Sequence, residues 1–101
     1  MKKHSNKLDD IKRTLEAHKE LLRDKYKVKE IGVFGSYVRG EQKRKSDIDI
    51  VVEFTESVSL LDLVEVELFL SDILGIKVDL IPKEDIRPEL RDTILEETVY
   101  I

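Results

Sequence analysis

The middle of the chain constrains the fold most, because a helix is set between two short strands. Asp47–Phe54 (DIDIVVEF) is rich in β-branched residues after its first positions, as in a buried strand. Ser59 begins a capping-box pattern, which opens a helix that Gly75 closes. Ile76–Ile81 (IKVDLI) is typical of another strand. Two strands joined through a helix favour a parallel pair in one sheet.

The helix between these strands reads LLDLVEVELFLSDIL and is apolar around much of its circumference, so we expect it to be heavily buried. The remaining segments add helices and one earlier strand, whose direction relative to its neighbour stays open. They are a helix from Leu8 to about Lys25, a strand Lys29–Phe34, a helical turn Ser36–Gly40, a helix Glu89–Glu97 and an apolar tail, 98–101, expected to pack on the body. The predicted fold class is α/β, with a small mixed sheet of three to four strands packed with helices.

The length of 101 residues suits one domain spanning 1–101, with residues 1–7 expected to be disordered. A hydrophobic fraction of 41% argues for a folded core, and a charged fraction of 40% for a densely charged surface. The chain has no cysteine, which excludes disulfides and thiolate metal sites. No apolar run reaches the roughly 20 residues of a membrane helix. We therefore expect a cytoplasmic protein.

The net charge of −4 conceals two oppositely charged halves. Residues 1–45 carry 14 Lys/Arg against 7 Asp/Glu, whereas residues 46–101 carry 4 against 15. The split is compatible with oppositely charged faces, with a basic rim around an acidic centre, or with ordinary solvated helix surfaces.

Gly35 and Ser36 form the first candidate for a binding role, because they follow a strand directly and begin a turn. A glycine allows a ligand to approach the backbone, and amides at the start of a helical turn point outward toward an anion such as phosphate. The Ser36 hydroxyl adds a donor. Many turns of this kind bind nothing, so this pattern alone is weak.

Three aspartates, Asp47, Asp49 and Asp79, form the second candidate. Asp47 and Asp49 are two residues apart, so in a strand they point to the same side and repel each other. Asp79 stands inside the strand that we expect to pair with theirs, where an unpaired carboxylate is costly. A divalent cation would remove the conflict, and Mg²⁺ prefers carboxylates, water and phosphates. Each aspartate alone could equally be a strand-end or capping residue.

The motifs together resemble a known family. The segments Gly35-Ser36-Tyr37-Val38-Arg39-Gly40, Ser46-Asp47-Ile48-Asp49 and Val78-Asp79-Leu80 look like those of minimal nucleotidyltransferases, in the DNA polymerase beta-like superfamily. The likeness runs from about Leu8 to Tyr100. It implies the polymerase beta-like nucleotidyltransferase core.

The resemblance also implies roles for individual residues. Asp47, Asp49 and Asp79 would be catalytic and would bind metal, with two Mg²⁺ ions expected and Asp79 closest to the attacking hydroxyl. Gly35 and Ser36 would hold the phosphates of ATP. Arg39 matches a commonly basic position and is assigned to the nucleotide, although pairing with a helix or a partner is also open.

The resemblance further implies a partner and a reaction. Chains of this size are often antitoxins of a HEPN-domain ribonuclease toxin, and they transfer AMP from ATP to a tyrosine of that toxin. The alternative is a binding antitoxin that neutralises the toxin by occlusion without catalysis. Modification of a small molecule would need a pocket that so short a chain hardly supplies. Direct recognition of nucleic acid through Lys43-Arg44-Lys45 is the least favoured alternative.

Overall fold

The computed structural model describes residues 7–101. Its elements follow one another in an α/β order. They are α1 Lys7–Ala17, α2 Lys19–Tyr26, β1 Val28–Phe34, α3 Ser36–Arg39, β2 Ile48–Phe54, α4 Leu60–Leu74, β3 Val78–Pro82, a 3₁₀ turn Lys83–Asp85, α5 Pro88–Glu97 and β4 Val99–Tyr100. The segment expected to be disordered lies outside the described residues, apart from Lys7, which begins α1.

The strands form one mixed sheet in the order β3-β2-β1-β4. The pair β2–β3 is parallel, as the strand–helix–strand pattern predicts, whereas β1 runs antiparallel to both β2 and β4. The apolar tail therefore packs on the body as an edge strand. The prediction of a small mixed α/β sheet with helices is confirmed.

Helices cover both faces of the sheet. On the first face, side chains from α1, α2 and α4 pack against alternate strand residues such as Val33, Ile50 and Leu80. On the second face, Phe34 and Val51 lie in a smaller apolar cluster that includes side chains of α5. Alternation along β2 thus sends Ile48, Ile50 and Val52 to the first face and leaves the positions between them for the second.

The N-terminal helix differs from its prediction, because one continuous helix is replaced by α1 and α2. The break is at His18, whose backbone leaves helical geometry with φ −109° and ψ 12°. Its ring nitrogen Nδ1 lies 2.8 Å from the carbonyl oxygen of Thr14, and its ring meets Phe69 edge-on. His18 is therefore a packing residue at a helix junction.

The central helix α4 begins and ends as predicted but is less buried. The Ser59 hydroxyl accepts a hydrogen bond from the Asp62 amide, and the Asp62 carboxylate accepts one from the Ser59 amide. Gly75 ends the helix in the left-handed conformation. However, only Val66 and Leu70 are fully buried, so the expectation of heavy burial around most of the helix is wrong. Within residues 7–101, none of the helices combines the length and apolarity that crossing a bilayer requires.

Candidate active site

The three aspartates lie at one end of the β2–β3 pair. Asp49 and Asp79 are direct neighbours in the parallel register, and Asp47 precedes the first residue of β2. Strand alternation directs Asp49 to the second face, away from α4. Asp47 and Asp79 are exposed, whereas Asp49 is half-buried. The fold thus brings Asp79 together with two acids, Asp47 and Asp49, from a distant segment of the chain.

The repulsion among the three carboxylates is clearest at Asp49. Burial raises the pKa of the Asp49 carboxyl, and the nearby Asp79 and Asp47 carboxylates raise it further. Arg39 acts in the opposite direction but does not cancel these effects. A group of like charges at the end of two strands is the situation that a cation relieves.

The three aspartates do not form a complete metal site in this arrangement. Across residues 7–101, no three His, Asp or Glu side chains are arranged closely enough to hold an ion. The donor chemistry nevertheless fits magnesium, because all three ligands would be carboxylates and two of them are solvent-accessible. The residues would therefore suit an ion whose remaining ligands are triphosphate oxygens and water.

The Gly35-Ser36 turn lies directly beside Asp49. Phe34, the residue before it, pairs with Asp49 across the β1–β2 ladder. Gly35 has φ +83°, a region that favours glycine, and an added Cβ would collide with Asp49 Oδ2. Its carbonyl accepts the amides of Val38 and Arg39 at 3.0 and 3.2 Å, which closes the turn that begins α3. Gly35 therefore allows the turn and the carboxylate to approach each other.

Ser36 is the first residue of α3, and Gly40 ends that helix in the left-handed conformation, as predicted. The Ser36 hydroxyl has no hydrogen-bond partner among the described residues, so it is available to a ligand. Tyr37, by contrast, is buried in the core, and its hydroxyl donates to the Ser46 carbonyl oxygen at 3.2 Å. Tyr37 fixes the loop before β2 and is not an exposed platform for a base.

Sequence reasoning missed Glu97, the last residue of α5. Its Oε2 accepts a hydrogen bond from the Gly35 amide at 2.9 Å, and its Oε1 pairs with Arg39 Nη1 at 2.7 Å. Burial raises the pKa of this carboxyl, but the bonds from Arg39 and Gly35 outweigh it and leave the pKa lowered. A signal did exist, because a glutamate at a helix C-terminus opposes the helix dipole and needs a partner elsewhere.

Arg39 lies between two acids. Besides Glu97 it contacts Glu41, with Nε donating to Oε1 at 2.8 Å. Pairing with a helix, one of the two roles left open by the sequence, is therefore realised through α5. Glu97 also contributes to the raised pKa of Asp49, which places it close to the acid group.

Comparison with known proteins agrees with this geometry. Residues 15–101 match the model of the nucleotidyltransferase domain family. Protein adenylyltransferase MntA of Thermococcus cleftensis is 49% identical over 94 residues, which cover 93% of this chain and 95% of that protein. A candidate protein adenylyltransferase of Methanocaldococcus jannaschii is 54% identical over 95 residues, covering 93% and 97%.

Solved structures share the same architecture. A candidate minimal nucleotidyltransferase superposes with a TM-score of 0.77 and 33% identity over 97% of this chain and 98% of its own. A chain of a toxin–antitoxin complex with AMP-PNP gives 0.70 and 30%, covering 84% and 69%. A complex of tri-AMPylated Shewanella oneidensis HEPN toxin with its MNT antitoxin gives 0.65 and 24%, covering 89% and 70%, which shows a common fold.

Proposed function

This chain belongs to the nucleotidyltransferase domain family, and from that premise we propose that it is an antitoxin that transfers AMP from ATP to a tyrosine hydroxyl of a HEPN-domain toxin. The chain is a nucleotidyltransferase, and the identity of its acceptor is the proposal. The observation that carries it is the Asp49–Asp79 register beside the Gly35-Ser36 turn. Relatives named protein adenylyltransferase and neighbours from toxin–antitoxin complexes support the choice of acceptor.

Each residue of the site has a distinct task in this proposal. Gly35 and Ser36 would hold the triphosphate in different ways: Gly35 lets the ligand approach the backbone, and Ser36 offers its hydroxyl, because the Gly35 amide already donates to Glu97. Asp47 and Asp49 would hold Mg²⁺, expected as two ions, together with Asp79. When bound, Mg²⁺ supplies charge neutralisation on the triphosphate and lowers the pKa of the attacking hydroxyl.

In the proposed reaction one bond to phosphorus forms, one breaks, and one proton is transferred. The tyrosine oxygen forms a bond to the α-phosphorus while the bond to the bridging oxygen breaks, and pyrophosphate leaves. Asp79 would receive the proton of the incoming hydroxyl, and its exposure next to Asp49 supports this role. Arg39 stays near the turn and offers positive charge to the departing phosphates.

Transfer of label from α-³²P-ATP to a purified HEPN-domain toxin tests the proposal. We expect Mg²⁺-dependent labelling that falls by about 100-fold or more in an Asp47→Asn/Asp49→Asn variant, since metal assistance is worth several kcal/mol. Asp92→Asn is the matched control, because this aspartate is exposed on α5 and makes no ion pair among the described residues. Equal labelling by the double variant and the wild type would refute the assignment.

Binding of the substrate has its own readout. Mg·ATP at ten times its dissociation constant should stabilise the fold by about 1.4 kcal/mol, or several degrees in Tm. The double variant should lose this shift. A melting temperature indifferent to millimolar Mg·ATP would contradict a functional nucleotide site.

Neutralisation by occlusion remains the second candidate, favoured by the exposed apolar residues of α4. The two functions differ in the amount of antitoxin that is needed to silence the toxin. If the Asp47→Asn/Asp49→Asn variant at one equivalent silences the toxin's ribonuclease activity fully, occlusion is sufficient. If the wild type with Mg·ATP silences the toxin at less than one equivalent and the variant does not, catalysis dominates.

A further inference from the structure

The exposed side of α4 carries a continuous row of aliphatic side chains. We call this row the α4 ridge; its members are Leu60, Leu61, Val64 and Leu68, whose exposed fractions are 76, 75, 40 and 64%. Single exposed leucines are ordinary, but three leucines and a valine exposed on one helix are not. The ridge is therefore a surface that the described fold leaves uncovered.

The helical period explains why the ridge is separate from the core. Leu61, Val64 and Leu68 follow spacings of three and four, so they line one side of α4. Val66 and Leu70 lie on the opposite side and pack against the sheet. Because both sides are apolar, the sequence alone shows a helix that is apolar all round. Only the fold distinguishes the side that packs against the sheet from the side that stays exposed.

The charges around the ridge indicate what can cover it. The helix has acidic residues and no basic ones. The Asp62 carboxylate caps the helix, and the Glu67 carboxylate accepts a hydrogen bond from the Leu80 amide. Glu65 and Asp72, by contrast, are exposed beside the ridge. A second copy of this chain, paired through the same surface, would bring these acids against each other. A partner with an apolar groove flanked by Lys or Arg satisfies both the leucines and the acids.

We propose that the α4 ridge docks the HEPN-domain toxin, through a toxin groove that is apolar at its centre and basic at its rim. This proposal rests on the toxin–antitoxin pairing proposed above, and it adds the surface that makes the contact. The recognition is of the helix-in-groove kind, with anchors at spacings of three and four.

The position of the ridge separates docking from transfer. The ridge is on the helix that covers the first face of the sheet, whereas Asp49 is directed to the second face. A toxin subunit held on the ridge therefore does not block the acids. Docking and AMP transfer should respond to different substitutions.

A Leu61→Glu/Leu68→Glu variant tests the inference by calorimetry or interferometry, with the same purified HEPN-domain toxin as in the labelling experiment. We expect its Kd to rise at least about tenfold, because charge at two central anchors opposes an apolar groove. Leu90→Glu is the matched control, since this leucine is 48% exposed on α5 and outside the ridge, and its Kd should stay within about twofold of wild type. Glu65→Lys/Asp72→Lys should weaken binding too, by reversing the charges at the rim.

The outcomes separate this inference from the proposed function. Unchanged toxin affinity of the leucine variant overturns the docking surface, even if the wild type transfers AMP. Sedimentation of the chain alone gives a second test, because a dimer that dissociates in the leucine variant would assign the ridge to a second copy. Retained Mg·ATP stabilisation of the variant shows that its fold and site are intact. Toxin binding that depends on the ridge without any AMP transfer would refute catalysis and leave the docking surface standing.

Discussion

Glu97 illustrates how one side chain connects distant parts of the chain. It ends α5, yet its carboxylate holds the amide of Gly35 and the guanidinium of Arg39. Only 21% of the side chain is exposed, so these charge-assisted bonds are less screened than surface ion pairs. In the proposed function, Glu97 would act on the nucleotide through the turn and the arginine that it positions.

Replacing Glu97 with alanine should loosen this end of the site. We expect a loss of about 1–2 kcal/mol in unfolding free energy, since two partners lose a charged acceptor. We also expect KM for ATP to rise more than kcat falls, because in the proposed function the turn holds the phosphates, whereas Asp79 receives the proton. Urea unfolding and steady-state transfer kinetics measure the two effects.

Glu96→Ala is the control, because Glu96 is the exposed neighbour and makes no ion pair among residues 7–101. Partial rescue by Glu97→Gln distinguishes positioning from charge, since glutamine can still accept the Gly35 amide. An unchanged KM for ATP in the Glu97→Ala variant would contradict a role for Glu97 in nucleotide binding.

The elements themselves were largely predictable. The capping box at Ser59, the glycine at position 75 and the period of two in Asp47–Phe54 are local signals, and the structure follows them with shifts of one or two residues at strand ends. The grouping of Asp49 with Asp79 follows from the parallel crossover. Their roles as metal ligands remain predictions.

What could not be predicted depends on contacts between distant elements. The exposed side of α4 is as apolar as its buried side, so the sequence does not reveal which side meets the sheet. The break at His18 lies inside an unbroken apolar period. Glu97 reaches Gly35 only because β4 pairs with β1 and holds the end of α5 against that strand.

The approach of β4 to β1 depends on Gly32. A Cβ at this position would collide with Thr98 Cγ2, directly after Glu97. Gly32→Ala should therefore displace β4 and cost about 1–3 kcal/mol by overpacking. Thermal unfolding measures the loss, and the KM for ATP should rise as Glu97 is carried away from Gly35.

Thr98→Ser in the Gly32→Ala background provides the decisive comparison. Serine removes Cγ2 and keeps a hydroxyl that can donate to the Ile94 carbonyl oxygen, as Thr98 does at 2.6 Å. The double variant should regain much of the lost Tm. If Thr98→Ser costs the same stability in both backgrounds, the contact does not explain the requirement for glycine.

At the scale of the whole molecule, the basic and acidic halves are joined across the sheet. Lys27 pairs with Glu56 at 3.7 Å and Lys29 with Glu53 at 3.8 Å, near the end of the β1–β2 pair where β1 begins. These pairs are largely exposed, so each contributes only about 0–1 kcal/mol. The charge split thus reflects how the two halves meet, and it leaves the acidic end of β2 and β3 without an equivalent set of cations.

That imbalance makes ionised Asp49 a cost to the stability of the fold. Its pKa is raised by burial and by Asp79 and Asp47, so its ionisation weakens the folded state at any pH above that raised value. Asp49→Asn should consequently have a higher Tm than wild type at pH 7 in EDTA. The advantage should shrink as pH falls through the folded-state pKa and vanish below about pH 3.9, the ordinary aspartate value, where both states are protonated. Asp92→Asn should show no such trend. A variant less stable than wild type at pH 7 would mean that Asp49 already has a compensating partner in the metal-free protein, and the need for a cation would lose its physical basis.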